Sequence, residues 1–281
     1  MPDYIIRDWK PEDRPALKEL WKTGFGDGDE TIDGFHALFL KPVCCLVAEA
    51  DGKPVSAMYI LPGQLLRTFR QNTLKADYTY ALTTLPEYRG RGIGSAVYRA
   101  CCEKVLENAD MACVIPADAA LRPLYENANG AKPVAVLREA RFTKAELSGI
   151  AALQAARVPV SMYMWLRESL MAGLPHATLD EGFYDLLEEG GMDFFTIGGK
   201  ACAAAEVNDG VCYIRELIDP GEDSMACVAT IAKWCPAEEY IVRTPLFFQG
   251  PGEARPYALG IMKSKPDYPM PQDLWWGFGL E

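Results

Sequence analysis

Two rhythms of apolar and polar residues run along this chain. β-rich runs occur at 4–9 (YIIRDW), 43–49 (VCCLVAE) and 55–61 (VSAMYIL), and a longer one, TLKADYTYALTT, at 73–84. Asp51-Gly52 supplies a hairpin turn between the second and third. After the first run, Pro11, Glu12 and Asp13 open a stretch with Leu17, Leu20 and Trp21 at helical spacing, and 29–40 reads as a second helix stopped near Pro42. Downstream, Val97, Tyr98, Cys101, Val105 and Leu106 make 95–107 an amphipathic helix. MACVI at 111–115 is a buried-looking strand, 119–129 a helix ending at Gly130, and 134–142 a further strand. The first half therefore reads β-α-α-β-β-β-α-β-α-β.

The alanine-rich stretch 141–158 predicts a helix, with Pro159 as a boundary, and SMYMWLR at 161–167 predicts a strand. A meander follows at 194–197, 201–207 and 212–217, turned at Gly198-Gly199 and Asp209-Gly210. A helix at 224–234 and strands at 240–244 and 258–262 complete an order that echoes the first half. The expectation is an α+β protein with two units, 1–145 and 160–281, joined by a connecting helix at 146–159.

The chain has 281 residues, 49% of them apolar, enough for one large domain or two modest ones with real cores. Its 28 Lys+Arg against 39 Asp+Glu give a net charge of −11, which argues against nucleic acid as a partner. No apolar run approaches the roughly 20 residues of a bilayer span, and the charged start MPDYIIRDWKPEDR does not suit a signal peptide, so no membrane association is expected and a cytoplasmic location is. Nine cysteines sit mostly in apolar surroundings without a CxxC, which favours packed, reduced thiols. His36 and His176 stand far apart, read as surface or partly buried side chains, and no metal site is expected. Oligomeric state is not legible.

One stretch carries chemistry. PEYRGRGIGSAVYRAC at 86–101 places three glycines and two arginines within six residues, between a strand and a helix. A helix start presents unpaired N–H groups and positive potential, and glycines let an anion reach them without meeting Cβ atoms. The pattern is neither GxxxxGK[ST] nor a GxGxxG that opens an early βαβ unit. It resembles motif A of the GNAT superfamily of N-acetyltransferases, [QR]-x-x-G-x-[GA], with Arg89, Gly92 and Gly94 at the defined positions and Pro-Glu-Tyr as lead-in. PLYENANG at 123–130 resembles that family's later LYEKLGF segment, with Gly-Ala-Lys-Pro where Gly-Phe is usual.

The resemblance implies a mixed, mostly antiparallel sheet flanked by helices in the first half. It also implies a second, degenerate GNAT-like unit lacking the glycine loop. Acetyl-CoA would be the acyl donor, lying along Leu82, Thr83 and Thr84, with its diphosphate surrounded by Arg89, Gly90, Arg91, Gly92, Ile93, Gly94 and Ser95. Tyr125 would protonate the leaving thiolate, although its helical spacing equally suits a core residue. Asp77 is a candidate base or an inert strand carboxylate; a second candidate base is the carboxylate of Glu281, after the aromatic tail DLWWGFGLE, by a partial likeness to the Eis group. The function expected is acetyl transfer to a small-molecule or peptide primary amine, the acidic composition favouring a cationic one. The alternatives are an acyl-CoA sensor without turnover, or transfer to a non-amine acceptor.

Overall fold

The structure is a computed structural model that describes residues 3–67, 73–179, 181–221, 223–263 and 273–280. The chain opens with β1 (Ile5–Asp8), α1 (Arg14–Phe25), α2 (Asp29–Phe39), β2 (Cys45–Ala50), β3 (Lys53–Arg67) and β4 (Thr73–Thr84). Then come α3 (Ile93–Asn108), β5 (Met111–Val114), α4 (Arg122–Asn129), β6 (Lys132–Pro133), β7 (Val136–Thr143) and α5 (Lys144–Leu147). The second half contains β8 (Ala155–Arg157), α6 (Val160–Leu170), β9 (His176–Thr178), α7 (Glu181–Glu189), β10 (Asp193–Ile197), β11 (Ala201–Asn208) and β12 (Val211–Ile218). It ends with α8 (Ser224–Trp234), β13 (Glu239–Pro245), β14 (Glu253–Pro256) and β15 (Leu259–Met262).

Two sheets result. The first runs β1-β2-β3-β4-β5-β15-β6, with β9 added to the end of β3; the second runs β14-β7-β13-β12-β11-β10-β8. Each is mostly antiparallel with one parallel step joined through a helix: β4 to β5 across α3, and β12 to β13 across α8. The fold is thus α+β, with a mixed, mostly antiparallel sheet flanked by helices in each half, as expected.

The halves exchange strands. β7 follows α4 in sequence but pairs with β13 of the second sheet over most of its length, from Thr143 opposite Glu239 to Leu137 opposite Pro245. β15 returns from the far end of the chain to pair with β5, Leu259 opposite Val114 and Met262 opposite Met111. Gly260 of β15 has no room for a side chain, since a Cβ there would lie 2.9 Å from the Val134 side chain.

Two expectations fail here. The helix over 141–158 is a single turn, α5, because residues up to Thr143 are drawn into β7 and 155–157 into β8. SMYMWLR lies within helix α6, where Tyr163 and Arg167, four apart, both turn into the core. Both histidines are buried: His36 bonds the Tyr59 hydroxyl at 2.9 Å, and His176 bonds the Leu174 carbonyl at 2.8 Å. All nine cysteines are buried, as their apolar settings suggested.

Candidate active site

β4 and β5 pair only from Ala76–Met111 to Tyr78–Cys113; beyond that the strands separate. Thr79 marks the parting, its hydroxyl donating to the Cys113 carbonyl at 2.9 Å. Two residues further, Ala81 adopts φ 54°, a left-handed conformation unusual for alanine, and the β3–β4 register slips between Ala57 and Tyr59. This bulge turns the pleat just where β4 leaves its neighbour. After it the Thr83 side chain packs on α1, whereas Leu82 packs with the core beneath α3.

The glycine stretch begins α3 at the same end of the cleft. Gly90 (φ 75°) and Gly92 (φ 77°) are both left-handed, and an added Cβ at either would meet no protein atom within 4 Å. Gly92 is the N-cap, and its carbonyl accepts the first helical bond from Ala96 N–H at 3.0 Å. The N–H groups of Ile93, Gly94 and Ser95 precede that bond and point out of the helix end. Gly94 is constrained from below: a Cβ there would come to 3.1 Å from Thr84 Oγ and 3.8 Å from Leu82 Cδ2. The end of β4 and the start of α3 thus meet as a backbone-lined concavity, which fits a diphosphate.

The remaining expected residues fall in distinct places. Arg89 donates through Nε to the Thr84 carbonyl at 2.9 Å, and Arg91 donates to the Glu87 carbonyl at 2.8 Å while lying over the Tyr88 ring. Both are exposed and brace the loop while adding positive potential. The Ile93 side chain is buried in the core beneath α3, so only its backbone is available. Ser56 ties the last turn of β4 in place, bonding the Thr83 carbonyl and the Thr84 hydroxyl, each at 2.8 Å.

Tyr125 lies on α4, ring to ring with Tyr98 of α3 at 4.9 Å and 78°. Burial pushes its hydroxyl up to about 12, so it remains protonated at neutral pH. Asp77 sits within the paired part of β4, where its carboxylate accepts the Gly63 N–H at 3.3 Å and burial raises its pKa. Alternation along β4 turns it to the face opposite Tyr78. Glu281 lies outside the described residues.

Sequence reasoning missed the other face of β4. There α1 and α2 bring Trp21, Phe25 and Phe35 around Tyr80, with ring centroids at 5.8, 6.4 and 5.6 Å. Asp27 accepts a bond from Trp21 Nε1 at 2.7 Å, and burial, aided by the Asp27 charge, raises the Tyr80 pKa. The helical spacing of Leu17, Leu20 and Trp21 signalled packing alone; Phe25 and Ala81 gave no signal.

The second half has the same strand–helix–strand plan but not the cradle. In place of RGRGIG it has DPGEDS at 219–224, one glycine and three acids. Asp223 caps α8 itself, accepting from Met225 N–H and Ala226 N–H, each at 3.1 Å. Ser224 bonds Asp219 and the Gln249 carbonyl, each at 3.0 Å, tying the loop between β13 and β14 to the helix start. Its anion site is filled by its own carboxylate. Among the described residues no group of three metal-ligating side chains occurs, and no helix is long and apolar enough to cross a membrane.

Residues 5–129 match the family described as Acetyltransferase (GNAT) domain. No curated protein sequence matches the chain. Solved structures are similar in fold across both halves. A GCN5-related N-acetyltransferase from Kribbella flavida superposes with a TM-score of 0.71 at 14% identity, over 92% of this chain and 72% of that one. One from Anabaena variabilis gives 0.68 at 14% identity with the same coverage, and Eis1 from Mycobacterium abscessus gives 0.64 at 12%, over 92% and 73%. With a glycine-lined helix start at the mouth of parting parallel strands, residues 5–129 are a domain of the GNAT acetyltransferase family, and the fold of the solved GNAT structures extends over both halves of the chain.

Proposed function

We propose that the first half transfers an acetyl group from acetyl-CoA to a primary amine, and that the second half supports it without binding CoA. The observation that carries this reading is the coincidence of three backbone features: the parting of β4 from β5 after Tyr78, the bulge at Ala81, and the left-handed glycines that open α3. The N–H groups of Ile93, Gly94 and Ser95 would hold the diphosphate, each bond to a charged oxygen contributing about 1.5–3 kcal/mol. The freed edge of β4 would receive the pantetheine arm.

α3 and α4 fill one face of the cleft, so the acceptor would come from the face of α1 and α2. Phe25, 40% exposed, stacks with Tyr80 at 21°, beside the Asp27 carboxylate. An aromatic wall with a carboxylate suits a cationic amine. An alkylammonium must lose a proton before attack, which costs roughly 4–5 kcal/mol at neutral pH. Asp27, on the face of α1 and α2, would be the nearer candidate to relay that proton through water, with Asp77 on the opposite face of β4 as the other. The amine nitrogen then forms a bond to the thioester carbon, the C–S bond breaks, Tyr125 gives its proton to the departing thiolate, and the proton that the new amide nitrogen sheds returns through water to restore the Tyr125 phenol. The reading takes the enzyme to be cytoplasmic, a reducing setting that suits nine buried cysteines.

Thiol release from acetyl-CoA across a panel of polyamines, aminoglycosides and lysine-like amines tests this directly. Amine-dependent release by the wild type, lost in Tyr125→Phe with CoA affinity kept, is the expected result. Tight CoA binding without release on any amine would favour a sensor instead.

A further inference from the structure

The second half holds a fully buried ion pair with no part in the chemistry above. Glu216 of β12 and Arg167 of α6 have no solvent exposure, and Arg167 Nε donates to both Glu216 oxygens, at 2.9 and 3.2 Å. Glu216 also accepts from the Tyr163 hydroxyl and from Trp275 Nε1, each at 2.5 Å. Arg167 Nη1 donates to the Ala177 carbonyl at 2.9 Å and to Glu168 at 3.1 Å. Such a pair is a weak source of stability, because well-packed apolar side chains would serve as well; its directional bonds fix a geometry.

What they fix is the aromatic tail. The Trp275 backbone is held on both sides, its N–H donating to the Pro175 carbonyl at 3.0 Å and its carbonyl accepting from Ala177 at 2.8 Å. The β9 segment next to it pairs in turn with β3 of the first sheet. Gly277 (φ 85°) lies so close that a Cβ would be 2.8 Å from both Arg167 Nη2 and Glu216 Oε1. Between these two clamped residues, Trp276 reaches the first half: its ring meets Tyr78 at 6.0 Å and 62°, and Tyr78 meets Tyr80 at 5.6 Å. Tyr80 is the residue before the Ala81 bulge.

We propose that Glu216 is a positioning residue for the acceptor side of the cleft, acting through Trp275 and Trp276 on Tyr78, Tyr80 and the bulge of β4. The consequence for catalysis rests on the acetyl-transfer reading; the mechanical link does not. On this account the second half keeps its buried charge, after losing its cradle, because that charge sets the wall against which the acceptor binds.

The test uses the full chain. Trp275→Phe removes one hydrogen-bond donor and leaves Glu216 with Tyr163 and Arg167, so folding is preserved; the paired replacement Glu216→Leu with Arg167→Met removes the charges together. Hydrogen–deuterium exchange is read without reference to activity. At least tenfold faster exchange is expected in the tail and in Tyr78–Leu82 for both variants, with β1 and β2 unchanged. In the amine assay, acceptor KM should rise at least fivefold in Trp275→Phe, with acetyl-CoA affinity within twofold of wild type. Unchanged exchange at Tyr78–Leu82 overturns the link, and so does a parallel rise of both constants with a fall in Tm. If wild type shows no transfer, the acetyl-transfer reading fails, and the exchange result alone decides the proposal.

Discussion

The Thr79 hydroxyl donates a hydrogen bond to the Cys113 carbonyl one residue past the last paired position of β4 and β5, so a side chain bridges the strands where they part. Both residues are completely buried. Thr79→Val keeps the shape and leaves that carbonyl without its partner, a loss of about 1–3 kcal/mol. The expected outcome is a Tm lower by several degrees together with a raised KM for acetyl-CoA. Thr79→Ser should restore most of both, as thermal denaturation and steady-state kinetics will show.

Gly92→Ala isolates the cradle. The left-handed φ costs an L-residue about 1–2 kcal/mol, and no protein atom stands in the way of the new methyl group. The folded state should survive while CoA affinity, measured by calorimetry, falls at least tenfold. An unchanged affinity would move the diphosphate elsewhere.

Gly24 and Thr83 make a paired test of how closely α1 must approach β4. A Cβ on Gly24 would lie 2.4 Å from Thr83 Oγ. Gly24→Ala is expected to destabilise by about 1–3 kcal/mol through overpacking. Adding Thr83→Ala should recover much of that, so a double-mutant cycle in urea should return clear non-additivity.

Tyr125→Phe should lower kcat by roughly 10²–10⁴, the usual worth of a placed proton donor. Because burial holds the Tyr125 hydroxyl at about 12, the wild-type rate should show no alkaline loss from this group below about pH 10. A rate in Tyr125→Phe within threefold of wild type would return this residue to a packing role.

His36 makes stability depend on pH. Burial lowers its pKa from 6.5 to about 4, so between those values the unfolded chain binds a proton that the folded chain does not. The contribution is complete above about pH 6.5 and is lost as pH falls through about 4, on the order of 3 kcal/mol. His36→Gln should flatten the urea-derived stability profile across that window. An equally steep profile would assign the acid sensitivity to other groups.

What the sequence disclosed and what it hid follow from range. The glycine stretch, the hairpin at Asp51-Gly52 and the Tyr125 helix were legible because their signals are local. The exchange of β7 and β15 was not, since runs such as VLREARFT and LGIM state that they will pair but not with which sheet. SMYMWLR carries β-forming residues, yet becomes helical because Tyr163 and Arg167 must both reach Glu216, itself 49 residues beyond Arg167. Ala81 is the sharpest case: the surrounding strands impose a conformation that its own side chain does not favour.

The crossed strands carry a practical lesson for anyone dissecting the protein. A fragment cut after α5 would take β7 away from β13 and leave β5 with a bare edge where β15 belongs. Open edges of that kind invite other chains to add themselves. Expression of either half alone should yield aggregates, whereas two co-produced fragments could complete each other's sheets. The chain is therefore one folding unit wearing the outline of two, and its halves are free to diverge in chemistry because neither can leave.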